Sequence, residues 1–331
     1  MRSGYSKHLS IAALSACLAA PAIAQDNTAW GTRSALSMNQ LAAPAAVNAG
    51  TLNWSVQFAN ASFGTGGVGL RNRGEGAIQI SGVSGPIKGA RIYWAVITHG
   101  APTTAVNRIE IKRGATGSTF TTLVGTPIGI GATPCWQGDR TTVYRSIIPL
   151  SIATGNGLYI LRLKPGANGS TAGGSPWALP SPPLPLFEGA SIVIVGTGTA
   201  RVAIYDAGLA GKMFFDQLSY RLNLPVTVVG SSEVLLHTIG ADGQIGTGVR
   251  AAFSTAGEVT TLNGVKIAGP GSPAPGDWNG SAAAPLPQLW DNVTHDVTTA
   301  AKANSASTLM TFGVKALGDC VVAVANVMSV Q

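Results

Sequence analysis

The chain predicts an all-β fold of antiparallel, jelly-roll-like β-sandwiches, and three observations carry that reading. Short runs rich in Val, Ile, Thr and aromatic residues alternate apolar and polar positions with period two, as half-buried strands do. Turn residues punctuate those runs at short spacing, from a pool of 43 Gly and 19 Pro. Only 11% of the residues are charged while 45% are hydrophobic. Ordinary soluble domains carry about 25% charged residues, and disordered chains lack apolar ones.

The first 24 residues stand apart. Arg2, Lys7 and His8 precede the apolar stretch LSIAALSACLAAPAIA, with small residues at Ala22 and Ala24. This is the plan of a secretory signal peptide, with cleavage expected between Ala24 and Gln25. The run is short and Ala-rich for a membrane anchor, and no later stretch is long and apolar enough to span a bilayer as a helix. An extracellular or cell-surface location follows, with the periplasm also open. LSAC, ending at Cys17, is a competing lipid-attachment pattern, but the sequence stays apolar past Cys17. Without Arg2 and Lys7, 19 basic residues face 14 acidic ones, a net of +5. The basic residues are scattered singly, which gives no footprint of a nucleic-acid binder.

Residues 25–50 read as a loose leader, and strands begin near residue 51. AIQISGV alternates Ile78 and Ile80 with polar neighbours. ARIYWAVI puts Ile92, Trp94 and Val96 on one face, with Arg91 and Tyr93 on the other. NRIEIKRG alternates Ile109 and Ile111 with Arg108, Glu110 and Lys112, and GLYILRLK places Tyr159, Leu161 and Leu163 together. Helix signals are weak; HDVTTAAKANSAST holds one or two turns starting near His295. A boundary is expected near Pro225, giving a first sandwich over 51–224 and a second over 225–331. The blocks share an order of features, which suggests two sandwiches of related design. The Pro-rich stretches 175–189 and 268–290 read as long loops.

GASIVIVGTGTARVAIYDAG, residues 189–208, raises the question of a nucleotide. A dinucleotide loop needs three glycines at a strand-to-helix turn. Gly196 and Gly198 supply two, but Arg201 stands at the third. RVAIYD then alternates Val202 and Ile204 with Arg201, Ala203 and Tyr205, so a strand follows and no helix N-terminus receives a phosphate. The stretch reads as a β-hairpin with a Gly-containing turn, and no cofactor is implied.

The same stretch, with GVGLRNRGEGAIQISGVSGPIKGARIYWAVI and GDCVVAVANVMSV, resembles a group of secreted bacterial β-sandwich proteins of unestablished function. The resemblance spans most of residues 51–331. It implies fold and export and brings no catalytic residues.

The chemistry available is sparse. Nine Asp and five Glu are present. Glu188 and Asp206 flank the supposed hairpin, and Asp291 and Asp296 lie close together, but turn roles at strand ends account for such residues. His99, His237 and His295 show no metal-ligand spacing, so no metal site is implied. No G-x-S-x-G places a nucleophilic Ser. Trp136, Trp177, Trp278 and Trp290 sit in or beside Gly/Pro-rich loops, where rings could stack on sugars or anchor a partner, or simply close the sandwich ends. Cys135 and Cys320 would remain after cleavage, and an oxidising compartment would favour a bond between them. The expectation is a non-catalytic surface, adhesive or structural module that binds an extracellular glycan or protein. The alternative is an extracellular polysaccharide-acting hydrolase. The sequence leaves the oligomeric state open.

Overall fold

The structure, a computed structural model, describes residues 47–331 except for 115, 117–118, 134–135, 137, 175, 177–182, 211–216, 231, 243–258, 270–277, 279, 281, 283–288, 303–308 and 316–320. Three sheets account for nearly all of the regular structure among the described residues. A four-stranded sheet has the order β3 (Glu75–Ile80), β9 (Gly157–Leu163), β5 (Arg108–Arg113) and β6 (Thr121–Val124). A five-stranded sheet has the order β1 (Val47–Leu52), β12 (Gln217–Asn223), β17 (Leu309–Lys315), β14 (Val259–Leu262) and β15 (Val265–Ala268).

A nine-stranded sheet joins them. One arm holds β16 (Trp290–Asp296), β13 (Val234–Ala241), β18 (Val322–Val330) and β11 (Ala200–Tyr205). It meets β2 (Val56–Gly69), beyond which lie β10 (Leu186–Thr197), β4 (Ile87–Thr98), β8 (Arg140–Ile147) and β7 (Thr126–Ala132). Pairing is antiparallel throughout these sheets except between β1 and β12. The fold is thus all-β and sandwich-like, as the period-two pattern requires. One short helix, α1 (Thr298–Lys302), falls where HDVTTAAK predicted a turn, and Thr298 N–H donates to Asp296 Oδ1 at 2.9 Å. No helix among the described residues is long and apolar enough to cross a membrane.

Three cores show how the sheets stack. One lies between the four-stranded sheet and β4, β8 and β10, and contains Trp94, Tyr159 and Phe187. A second lies between the five-stranded sheet and β11, β13 and β18, and contains Tyr205, Tyr220 and Phe312. The third lies between the two arms of the nine-stranded sheet, where Tyr93, Ile97 and Val193 meet Ile239, Val324 and Val327. The sheet therefore turns back on itself, and its central strands β4, β10 and β18 are covered on both faces over most of their length. Alternation in RIYWAV suggested a half-buried strand, yet Tyr93 and Trp94 are both fully buried. The outer four-stranded sheet, with one solvent face, keeps the clean alternation.

The fold-back is made at β2. β10 runs antiparallel to Gly69–Ala61 of β2, and β11 continues in the same direction along Ala61–Val56, on the other side of it. Residues 189–205 are therefore no hairpin: β10 and β11 do not pair, and the chain crosses over β2 between them. At the crossing Gly198 N–H donates to Asn60 O at 2.9 Å, and a Cβ on Gly198 would stand 2.5 Å from Ala61 O. Gly198, one of the two glycines suggesting a phosphate loop, serves this close backbone passage, while Gly196 makes room for Ser84 O. Strands from either side of residue 225 share sheets: β11 pairs with β18, and β12 with β17.

Candidate functional site

β2, β10 and β13 bring one ionic cluster together at one end of the interior between the arms. Arg71 follows β2, Glu188 lies within β10, and Asp242 follows β13. Arg71 Nη2 donates to Glu188 Oε2 and, at 2.8 Å, to Asp242 Oδ1. The side chains of Arg71 and Glu188 are 0% exposed and that of Asp242 is 1% exposed. Glu188 was expected in a turn; it sits inside a buried strand instead, where a carboxylate is tolerated only with a partner.

Trp136, from the β7–β8 connection, closes the cluster. Its ring lies over the Arg71 guanidinium, 4.1 Å from Cζ to the ring centre, and its Nε1–H donates to Asp242 Oδ2 at 2.6 Å. The ring is half-buried. Asn168 holds the turn that carries Arg71, donating through Nδ2 to Leu70 O at 2.9 Å and Arg73 O at 3.1 Å. Among the described residues six non-glycine residues have positive φ, and four are here or in direct contact: Asn72, Trp136, Asp242 and Leu289, whose carbonyl accepts from Asp242 N–H at 2.8 Å. A bulky ring at φ +61° is costly unless its surroundings hold it, and such strain gathers at functional sites.

The electrostatics favour proton retention. Burial, opposed by Arg71, pushes the Glu188 carboxyl up to about 8 from its ordinary 4.5. Burial likewise raises Asp242 to about 6, against the pull of Arg71 and Trp136. Two buried acids around one guanidinium thus favour keeping a proton more than either would in water. Arg71 Nε and Nη1 and Glu188 Oε1 are buried and reach no described hydrogen-bond partner.

The four tryptophans expected on binding loops separate. Trp136 keeps part of its ring at the surface. Trp290 is fully buried; its Nε1–H donates to Ser191 Oγ at 2.8 Å, and it leans on Gly189, where a Cβ would stand 2.6 Å from the ring. Trp278 is also buried, with Nε1–H donating to Thr260 Oγ1 at 3.2 Å. Both rings fill the interior where loops close the sandwich. Trp177, Cys135 and Cys320, and residues 1–24 with Ala24 and Gln25, lie outside the described residues.

A second ionic cluster lies further along the same interior. Asp206 Oδ2 accepts from Arg145 Nη1, and Oδ1 accepts from Tyr93 Oη and Ser55 Oγ, each at 3.1 Å. Arg91 Nη1 donates to Ser55 Oγ at 2.6 Å and stands 3.9 Å from Asp206. Asp291 is buried in β16 and accepts from Gly280 N–H at 2.8 Å. His99 is exposed beside Asp139. His237 is buried, with Nδ1 at 2.7 Å from Thr294 Oγ1, and burial lowers its pKa to about 4. Among the described residues no group of three or more His, Cys, Asp or Glu is gathered as a metal site.

Arg71 and Asp242 were not singled out from sequence, although a signal existed. Glu188 interrupts LFEGASIVIVG, an otherwise apolar run, and a charge inside a buried strand demands a cation nearby. No family model and no curated protein matches this chain. Among solved structures the chain is similar to BuGH86, a glycoside hydrolase 86 protein, in its wild-type form and in a glutamate-to-glutamine variant, each in complex with neoagarooctaose. Each likeness has 11% sequence identity and a TM-score of 0.24, covering 83% of this chain and 33% of that one.

Proposed function

We propose that this chain is a non-catalytic, exported β-sandwich module that works by binding an extracellular glycan or protein, with Trp136 as its aromatic platform. The observation that carries this reading is the fixing of a partly exposed indole. Its face rests on a buried guanidinium, its Nε1 is tied to a buried carboxylate, and its backbone is held in a left-handed conformation. A ring held rigid before binding loses little entropy on contact, and a flat aromatic face suits the apolar face of a sugar.

The alternative, hydrolysis of a polysaccharide, needs two carboxyl groups facing each other across the scissile bond. Here Glu188 and Asp242 share one guanidinium nitrogen, which favours binding over hydrolysis. Export is proposed on residues 1–24. It goes with a bond between Cys135 and Cys320, whose described neighbours approach the same strand end. Trp136 bonds Asp242, and Val322 pairs with Ala241.

A glycan array followed by a reducing-sugar assay tests the reading. The expected result is retention on one glycan class, lost in Trp136→Ala with the circular dichroism spectrum unchanged, and no release of reducing ends. Turnover of the bound glycan, or binding unchanged in Trp136→Ala, would overturn it.

A further inference from the structure

The basic residues look scattered in sequence, but period two gathers several of them on one face. In the four-stranded sheet the inward positions are Ile78, Ile80, Ile109, Ile111, Tyr159 and Leu161. The outward positions of β5 are Arg108, Glu110 and Lys112, and Arg162 lies opposite Glu110 on β9. Lys164 follows β9 and reaches Glu110 as well. Glu75 of β3 lies opposite Arg162 on its other side. Four cations and two carboxylates thus share the solvent face of one sheet, in a chain with few charges. Arg162 is 47% exposed and Lys164 32%. Phe120 lies under two of these cations, with Arg162 Cζ 4.0 Å and Lys112 Nζ 5.0 Å from its ring centre.

We propose that this face docks a linear acidic polysaccharide, one bearing carboxylate or sulfate groups spaced along a hydroxyl-rich chain. Charge complementarity gives the sign of the partner, and the pattern narrows its class. Arg108 and Lys112 are four residues apart on one strand, about 13 Å, and the next strand lies about 4.8 Å away. The cations are therefore spread over an extended footprint and do not converge on one anion. Acid and base alternate across the sheet in the row Glu75, Arg162, Glu110. A densely charged phosphate backbone would be repelled by the two carboxylates. A sparsely charged glycan would place its anions on the cations and its hydroxyls on Glu110 and Thr122, which share one row, and on Gln79 further along β3. The ring of Phe120 is covered by cations, so it is poorly placed to stack on a nucleobase.

This surface is separate from the Trp136 site, and affinity electrophoresis in polygalacturonate tests it directly. The expected result is retardation that fades as salt is raised and is absent in neutral galactan. The triple variant Arg108→Gln, Lys112→Gln, Arg162→Gln should weaken retention about tenfold with its melting transition preserved. Glu75→Gln, which removes one repelling charge from an exposed position, should strengthen it. Trp136→Ala should leave it unchanged, so failure here and failure of the Trp136 reading are distinguishable. No retardation, or equal retardation of the triple variant, overturns the proposal. Equal or tighter retention by single-stranded DNA at the same salt also overturns it, because the face would then recognise phosphate polymers.

Discussion

The interior between the two arms carries two ionic clusters of opposite stoichiometry. At Arg71 one guanidinium serves two carboxyl groups, all withdrawn from solvent. At Asp206 one carboxylate serves Arg145 and Arg91 and also accepts from a tyrosine and a serine hydroxyl, with Arg145 26% exposed. The difference lies in what each cluster asks of the solvent. Surplus positive charge at Asp206 projects toward water and is hydrated there. Surplus acid at Arg71 has no such outlet, and burial favours its protonated form. The Asp206 cluster behaves as a partly hydrated bridge, whereas the Arg71 cluster is a buried network in which removing one member strands another.

The largest expected effect comes from breaking the buried cluster at its centre. Arg71→Met should cost about 3–5 kcal/mol of stability at pH 7, because the carboxylate of Asp242 loses its cation. Chemical denaturation would measure it, and the loss should shrink at pH 5, where both acids take up protons. If Arg145→Met cost as much, the distinction between the clusters would fail; about 1 kcal/mol or less is expected there.

Next in size is the response to pH. The folded Glu188 keeps its proton up to about 8, whereas an unfolded glutamate gives it up near 4.5. The native state therefore binds more protons between these values, and stability falls as pH rises, by at most about 1.4 kcal/mol per unit. His237 acts in the opposite sense: its folded value near 4 lies below the ordinary 6.5, so stability is lost as pH drops through that window. The Glu188 effect should therefore stand alone between pH 6.5 and 8. Thermal melts across that range should decline for the natural chain and stay flat for Glu188→Gln; parallel slopes would place the titration elsewhere.

Asp206→Asn should have the smallest effect, about 1 kcal/mol, reduced further in high salt because Arg145 is partly hydrated already. A loss insensitive to salt would mean that this cluster is drier than its exposure indicates.

The outer sheets were legible in the sequence, and the inner ones much less so. Ile109 and Ile111, or Tyr159 and Leu161, alternate with polar residues because their strands have one wet face. β4 and β10 lie between two cores, so Tyr93 and Ile92 are both buried and period two stops reporting a face. The hairpin reading of 189–205 failed for a related reason: two adjacent strands with a Gly-containing link look alike whether they pair or pass over a third. At the candidate site Trp136 was visible as a loop aromatic. Its partners were hidden, because Arg71, Glu188 and Asp242 come from three distant segments that only the β2 crossing brings together.

The position of β18 has a consequence for the order in which this molecule can be made. All nine of its residues are buried, and it fills the slot between β11 and β13. Until residues 322–330 arrive, those two neighbours each present an open row of backbone donors and acceptors, and the core beneath them lacks a wall. Synthesis from the N-terminus therefore cannot complete this arm piece by piece. This arm must stay open until residues 322–330 are made and then close in a long-range step of the kind that makes high-contact-order folds slow and vulnerable to edge pairing with other chains.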